Sequence, residues 1–171
     1  DEFFNKVDII KLLNLCKKNK IFLVLDEVYF PFSPISHISL IKKYDNLLIM
    51  RSFSKAFGLA GIRLGYIIGN KKNINYISKI RTGYETNVLS AEIASFFIDN
   101  YRDILNYVEN VRVGLLFLKN KLNKNNISTI GEGNSCYLFV KVKSTRMANN
   151  ITKDLYKKRI YVRNNWPKPY D

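Results

Sequence analysis

Apolar positions recur along this chain in two rhythms, one helical and one continuous. Residues 4–19 set Val7, Ile10, Leu12, Leu13 and Cys16 among charges, a spacing that predicts a helix. Ile21-Phe22-Leu23-Val24-Leu25 is an unbroken apolar run of strand length and predicts a strand buried on both faces. A loop with Pro31 and Pro34 follows, then a short helical stretch over 38–44, a second strand over 46–50 and a third over 64–69. Residues 72–82 read as a helix ending near Gly83, and 84–87 suit a turn. From Ser90 to Leu122 helical spacing continues through Ile93, Phe97, Ile104, Val108 and Leu115, with Gly114 a weak point. A strand over 137–142, a helix over 145–158 and a strand over 160–163 complete the pattern.

Composition changes this picture little. With 171 residues, 47% of them hydrophobic, the chain can bury a substantial core, which argues against disorder. The formal charge of +14 raises nucleic acid or an anionic membrane surface as a partner. The lysines, however, recur as scattered pairs (Lys17-Lys18, Lys42-Lys43, Lys71-Lys72, Lys157-Lys158) without an arginine and aromatic stripe, so neither partner is expected. No apolar run reaches the ~18–20 residues of a membrane span. Cys16 and Cys136 stand far apart without a C-x-x-C pattern, which supports neither a disulfide framework nor a zinc site and predicts reduced, buried thiols. His37 is the sole histidine, so no histidine-rich metal site is expected; it is assigned to a loop.

Chemistry concentrates where the first two strands end. Asp26 emerges at the carboxyl end of the first apolar run, the end at which open α/β sheets collect ligands. Tyr29 follows three residues on. The second run leads directly into Arg51-Ser52-Phe53-Ser54-Lys55, so a lysine also sits just past a strand end and both ends face one crevice. Arg63 lies eight residues after Lys55, and its planar fork suits a phosphate monoester, with Ser52 and Ser54 as short hydroxyl donors. A lysine for an imine, a carboxylate for a ring nitrogen, a phenol and a phosphate cradle together form the inventory for pyridoxal 5′-phosphate. Singly, each residue has a plainer use: Asp26 suits a turn or a helix cap, and Lys55 is one of many lysines that would sit on a solvated face.

Asp26-Glu27-Val28-Tyr29, the block Ser52-Phe53-Ser54-Lys55-Ala56-Phe57-Gly58-Leu59-Ala60-Gly61-Ile62-Arg63, and Gly65-Tyr66 resemble, in order and spacing, the fold-type I pyridoxal-phosphate enzymes. Within these they resemble the class I/II aminotransferases, and most closely the histidinol-phosphate aminotransferase branch. The resemblance implies an α/β fold: the later part of a three-layer αβα large domain over 1–104, its mostly parallel sheet including the third strand as an antiparallel member, then part of a small α+β domain over 105–171. It implies Asp26 on the pyridine nitrogen, Tyr29 on the 3′-oxygen, Lys55 as Schiff-base lysine and general acid/base, and Ser52, Ser54 and Arg63 on the phosphate. Tyr84, Asn87 and Arg163 match positions near substrate. Gly133-Asn134-Ser135-Cys136-Tyr137 departs from the family pattern, with Cys136 at the usual asparagine place.

The activity implied is transamination between L-histidinol phosphate and 2-oxoglutarate in histidine biosynthesis, by a cytoplasmic homodimer with small-molecule substrates and no metal. Threonine-phosphate decarboxylation or another aminotransferase reaction is the same-fold rival, since fold does not fix the reaction. A truncated, non-catalytic relative serving as a binding module is the rival of another class. The family's length, the lack of an Asn-Pro-x-x-Pro-Thr-Gly segment before Asp26 and a first residue other than Met lead to the expectation of a partial chain.

Overall fold

The structure, a computed structural model, describes residues 4–83, 85–131 and 135–164. Helix α1 (Lys6–Lys18) starts where the Asn5 side chain accepts the Asp8 amide hydrogen at 2.9 Å, and Lys17 and Lys18 complement its C-terminal dipole. Ile9 and Leu13, one turn apart, are its buried stripe. They pack with Leu40, Tyr44, Leu47 and Ile49 over one face of a three-stranded sheet. The buried Asn46 amide fixes the junction by donating to Leu13 O at 3.1 Å and Ile21 O at 3.3 Å.

In that sheet β1 (Leu23–Asp26) pairs in parallel with β2 (Leu47–Ser52), which pairs antiparallel with β3 (Gly65–Gly69). The implied antiparallel member is therefore present. Burial on both faces is not: Leu23 and Leu25 pack on the core, whereas Val24 is 47% exposed and its same-face neighbours Met50 and Ile67 are 37% and 43% exposed. The run of five apolar residues is thus read by the fold as a one-sided, alternating strand, and Ile21 and Phe22 precede it in the open.

A 3-10 turn over Ile38–Lys42 leads to β2, and α2 (Lys71–Ser78) follows β3. The stretch expected as one long helix is two, α3 (Val88–Asp99) and α4 (Tyr101–Lys124). Asn100 causes the break. Its backbone and side-chain amides both donate to Phe96 O, at 3.0 and 2.8 Å, and its ψ of 35° turns the chain out of the helix. Gly114, by contrast, lies inside uninterrupted α4. A second core forms from Phe32, Ala56, Ile104 and Val108, joining the loop after β1, the loop after β2 and α4.

Beyond α4, β4 (Thr129–Ile130) pairs antiparallel with β5 (Phe139–Val140), and α5 (Thr145–Lys157) is capped by Ser144, whose hydroxyl accepts from the Met147 amide. The strand expected over 137–142 is shortened to what its two-residue partner can pair. The strand expected over 160–163 does not form. Arg159 turns the chain at φ 59°, the Ile160 amide bonds back to Leu155 O, and Asn164 donates to Asn149 on α5, so the segment is tied to its own helix rather than to a sheet. Cys16 is half-buried and Cys136 exposed, because Cys136 falls in the short irregular segment before β5; burial was expected for both.

Candidate active site

At the end of β1 the ladder runs one step further, the Glu27 amide donating to Met50 O at 2.9 Å. The Asp26 carboxylate is exposed, and its Oδ1 accepts the Val28 amide hydrogen at 3.0 Å in an Asx turn. That turn starts the loop carrying Tyr29. The loop is held down by Phe32, 1% exposed, and by Arg112 of α4, whose guanidinium donates to Phe32 O at 2.8 Å.

The loop after β2 is built by alternation. Phe53 and Ala56 are buried, Phe53 against the Phe57 ring at 4.7 Å and the Tyr66 ring at 5.7 Å, while between them Ser54 is half-buried and Lys55 exposed. Ser52 Oγ accepts the Ser54 amide hydrogen at 3.0 Å, and the Phe53 amide donates to Leu64 O at 3.1 Å. Gly58 takes φ 68°, where any side chain would be strained. On β3, a Cβ at Gly65 would stand 2.9 Å from Arg51 O, so only glycine lets the two strands close here.

These two loops bring Lys55 and Tyr29 together, with Lys55 Nζ 5.4 Å from the Tyr29 ring centroid. Asp26 and Ser52 leave neighbouring strands at the same end of the sheet. Arg63 is exposed and left-handed, at φ 54°, with Nη1 donating to Ala60 O at 3.2 Å. Asn87 is the N-cap of α3, accepting the Ser90 amide hydrogen at 2.8 Å, and the buried Ser90 hydroxyl donates to Ile62 O at 3.0 Å, beside Arg63. Arg163 lies past α5 in the segment without a strand. Tyr84 lies outside the described residues. The groove of about 550 Å³ lined by Lys17, Phe22, Asn46 and Tyr76 sits at the opposite end of the strands.

Four residues here were not assigned a role from sequence. Tyr137 meets the Tyr29 ring edge-on at 5.6 Å, and burial, with Tyr29 nearby, raises its phenol above the ordinary range. Its place after the departing Gly133–Cys136 segment was the only signal. Glu27 and Arg51 form a buried ion pair, Arg51 Nη2 to Glu27 Oε2 at 2.8 Å. A charge directly abutting each motif was the signal there. His37, expected in a loop, precedes the 3-10 turn and is buried, with its amide donating to Glu27 Oε1 at 2.7 Å. Among the described residues no cluster of three metal-ligating side chains occurs, and no helix is long and apolar enough to cross a membrane.

A parallel strand pair with an antiparallel neighbour, flanked by helices and carrying a lysine loop at the strand ends, defines the class: an α/β fold of the pyridoxal-phosphate aminotransferase type. The chain belongs to the class I and II aminotransferase family, whose model matches residues 3–168. It is 36% identical over 164 residues to histidinol-phosphate aminotransferase of Buchnera aphidicola subsp. Diuraphis noxia, covering 94% of this chain and 44% of that protein. Among solved structures it resembles histidinol-phosphate aminotransferase from Sinorhizobium meliloti in complex with pyridoxal-5'-phosphate (TM-score 0.80, 20% identity, 94% of this chain and 45% of that one). It also resembles L-threonine-O-3-phosphate decarboxylase from Porphyromonas gingivalis (TM-score 0.75, 23% identity, 94% and 50%). The chain therefore spans about half the length of the relatives it matches.

Proposed function

We propose that this segment, within its full-length protein, supplies the lysine, ring and phosphate contacts of a pyridoxal-phosphate-dependent aminotransferase that moves an amino group between L-histidinol phosphate and 2-oxoglutarate. The observation that carries the reading is the convergence of Lys55 and Tyr29 at the adjoining ends of two parallel strands. The substrate assignment is supported by the names of relatives that match nearly the whole of this chain. The threonine-phosphate decarboxylase likeness keeps decarboxylation as the second reading.

The donor set suits the cofactor. An outward amine stands beside a phenol, a carboxylate is exposed at the neighbouring strand end, the Ser52 hydroxyl ends β2, and Ser54 and Arg63 lie on the loop that follows. Pyridoxal phosphate, when bound, supplies an electron sink for the substrate's α-carbon. Lys55 Nζ would hold the cofactor covalently and would serve as the general acid and base for the α-proton. The Asp26 carboxylate would hold a proton on the ring nitrogen, and the Tyr29 hydroxyl would donate to an anionic ring oxygen. Arg63, Ser52 and Ser54 would bind the phosphate, Arg63 through its fork. Tyr84, Asn87 and Arg163 are proposed to face the substrate, and the boundary between large and small domains is proposed near residue 104, early in α4.

The test uses full-length protein. Borohydride reduction and peptide mapping should place the pyridoxyl group on Lys55, and Lys55→Ala should abolish it; a label on another lysine overturns the assignment. A panel of histidinol phosphate, phenylalanine, tyrosine and threonine phosphate, each with 2-oxoglutarate, should show preference for histidinol phosphate. Release of carbon dioxide from threonine phosphate would favour the second reading.

A further inference from the structure

We propose that Glu27, Arg51 and Ser36 form a buried latch that fixes the two strand ends bearing Asp26 and Lys55, making Glu27 and Arg51 positioning residues of the site. This deepens the reading above and rests on it. Both charged side chains are less than a tenth exposed. Glu27 Oε2 accepts from Arg51 Nη2 at 2.8 Å, Arg51 Nε at 3.2 Å and Ser36 Oγ at 3.1 Å, while Oε1 accepts the His37 amide hydrogen at 2.7 Å. Arg51 Nη2 also donates to Ser36 Oγ at 2.7 Å, and the guanidinium lies 3.7 Å from the Phe30 ring centroid.

Placement gives this cluster its consequence. Glu27 follows Asp26 directly, and Arg51 precedes Ser52 and stands four residues before Lys55. The pair closes where the β1–β2 ladder makes its last bond, at the Glu27 amide. Ser36 and His37 come from the far end of the loop that carries Tyr29, so one carboxylate ties together the strand with Asp26, the strand leading to Lys55 and the loop holding Tyr29. A buried ion pair is a poor source of net stability, because apolar residues of similar volume stabilise as well or better after desolvation is counted. Apolar residues would not reproduce its direction: a planar fork on a carboxylate fixes distance and angle together.

The test compares, in the full-length protein, Arg51→Lys, Ser36→Ala and the double variant Glu27→Leu/Arg51→Met with wild type. Three readouts are taken: the pyridoxal phosphate dissociation constant, the pH midpoint of the bound cofactor's visible absorbance, and amide hydrogen exchange at Glu27 and Phe53 in cofactor-free protein. Arg51→Lys and the double variant should weaken cofactor binding about tenfold to a hundredfold, the scale of a lost alignment. They should also displace the pH midpoint and speed exchange at Glu27. Thermal unfolding of the double variant should stay near wild type, which separates positioning from stability. Wild-type affinity, pH midpoint and exchange in folded Arg51→Lys and double variants overturn the latch. If the double variant does not fold, Arg51→Lys and Ser36→Ala decide by the same criteria. If wild type itself carries no Lys55 linkage, the functional reading fails on its own, and the exchange rates in the cofactor-free proteins still decide the latch.

Discussion

At the scale of single residues, the site separates groups that bind from groups that activate. Arg63 sits exposed at φ 54°, a left-handed conformation that a non-glycine residue adopts at a cost, and its guanidinium donates to the Ala60 carbonyl. Arg63→Ala should therefore raise the cofactor dissociation constant of the full-length protein more than Arg63→Lys, which keeps a point charge without the fork. Equal affinity in all three proteins would remove Arg63 from the phosphate site. Asp26 behaves differently in prospect. Its Oδ1 already serves the Asx turn to Val28, a bond that an asparagine side chain can keep, so Asp26→Asn should preserve the loop and the bound cofactor. It should slow α-proton removal by orders of magnitude, measured in a single turnover, because a neutral amide does not hold the ring proton. A wild-type rate would leave Asp26 as a turn residue alone.

At the scale of elements, the loop after β1 depends on Phe32. This ring, 1% exposed, packs with Ala56 next to Lys55 and with Ile104 and Val108 of α4, so it joins the Tyr29 loop, the lysine loop and the long helix. Phe32→Ala should cost about 3–5 kcal/mol of stability, read by denaturant unfolding of the full-length protein, since the cavity would open between three elements. A loss below about 1 kcal/mol would mean that the surrounding core collapses into the space the ring leaves. The same elements show what the sequence could and could not disclose. Strands β1, β2 and β3 were legible because each is a short apolar run, and the lysine loop because its residues are contiguous. The break between α3 and α4 was not legible, since it turns on one asparagine amide competing for a carbonyl inside an apolar helical rhythm. The missing strand at 160–163 was a matter of partners: β-type residues there bond back to α5. Glu27 and Arg51 lie 24 residues apart, and only the parallel pairing of their strands brings them together.

At the scale of the whole molecule, the sheet has one covered and one open face. Val24, Met50 and Ile67 line the open side, and among the described residues β1 pairs with β2 alone, leaving its other edge free. An apolar face beside a free edge is a template for pairing with another chain. The net charge of +14 opposes association only over a Debye length of about 8 Å at physiological salt, and β1, β2 and β3 themselves carry no lysine. The 171-residue chain expressed alone is therefore expected to self-associate, bind a hydrophobic dye and show no transaminase turnover. Val24→Lys, which places a charge on the open face at the free edge strand without touching α1 or the core, should reduce association without restoring turnover. Light scattering and dye fluorescence read the first effect and a coupled glutamate assay the second. A monodisperse, dye-silent chain would show that the face is protected in some other way. Turnover with cofactor reducibly linked to Lys55 would show that this half of the family's length holds a working site by itself.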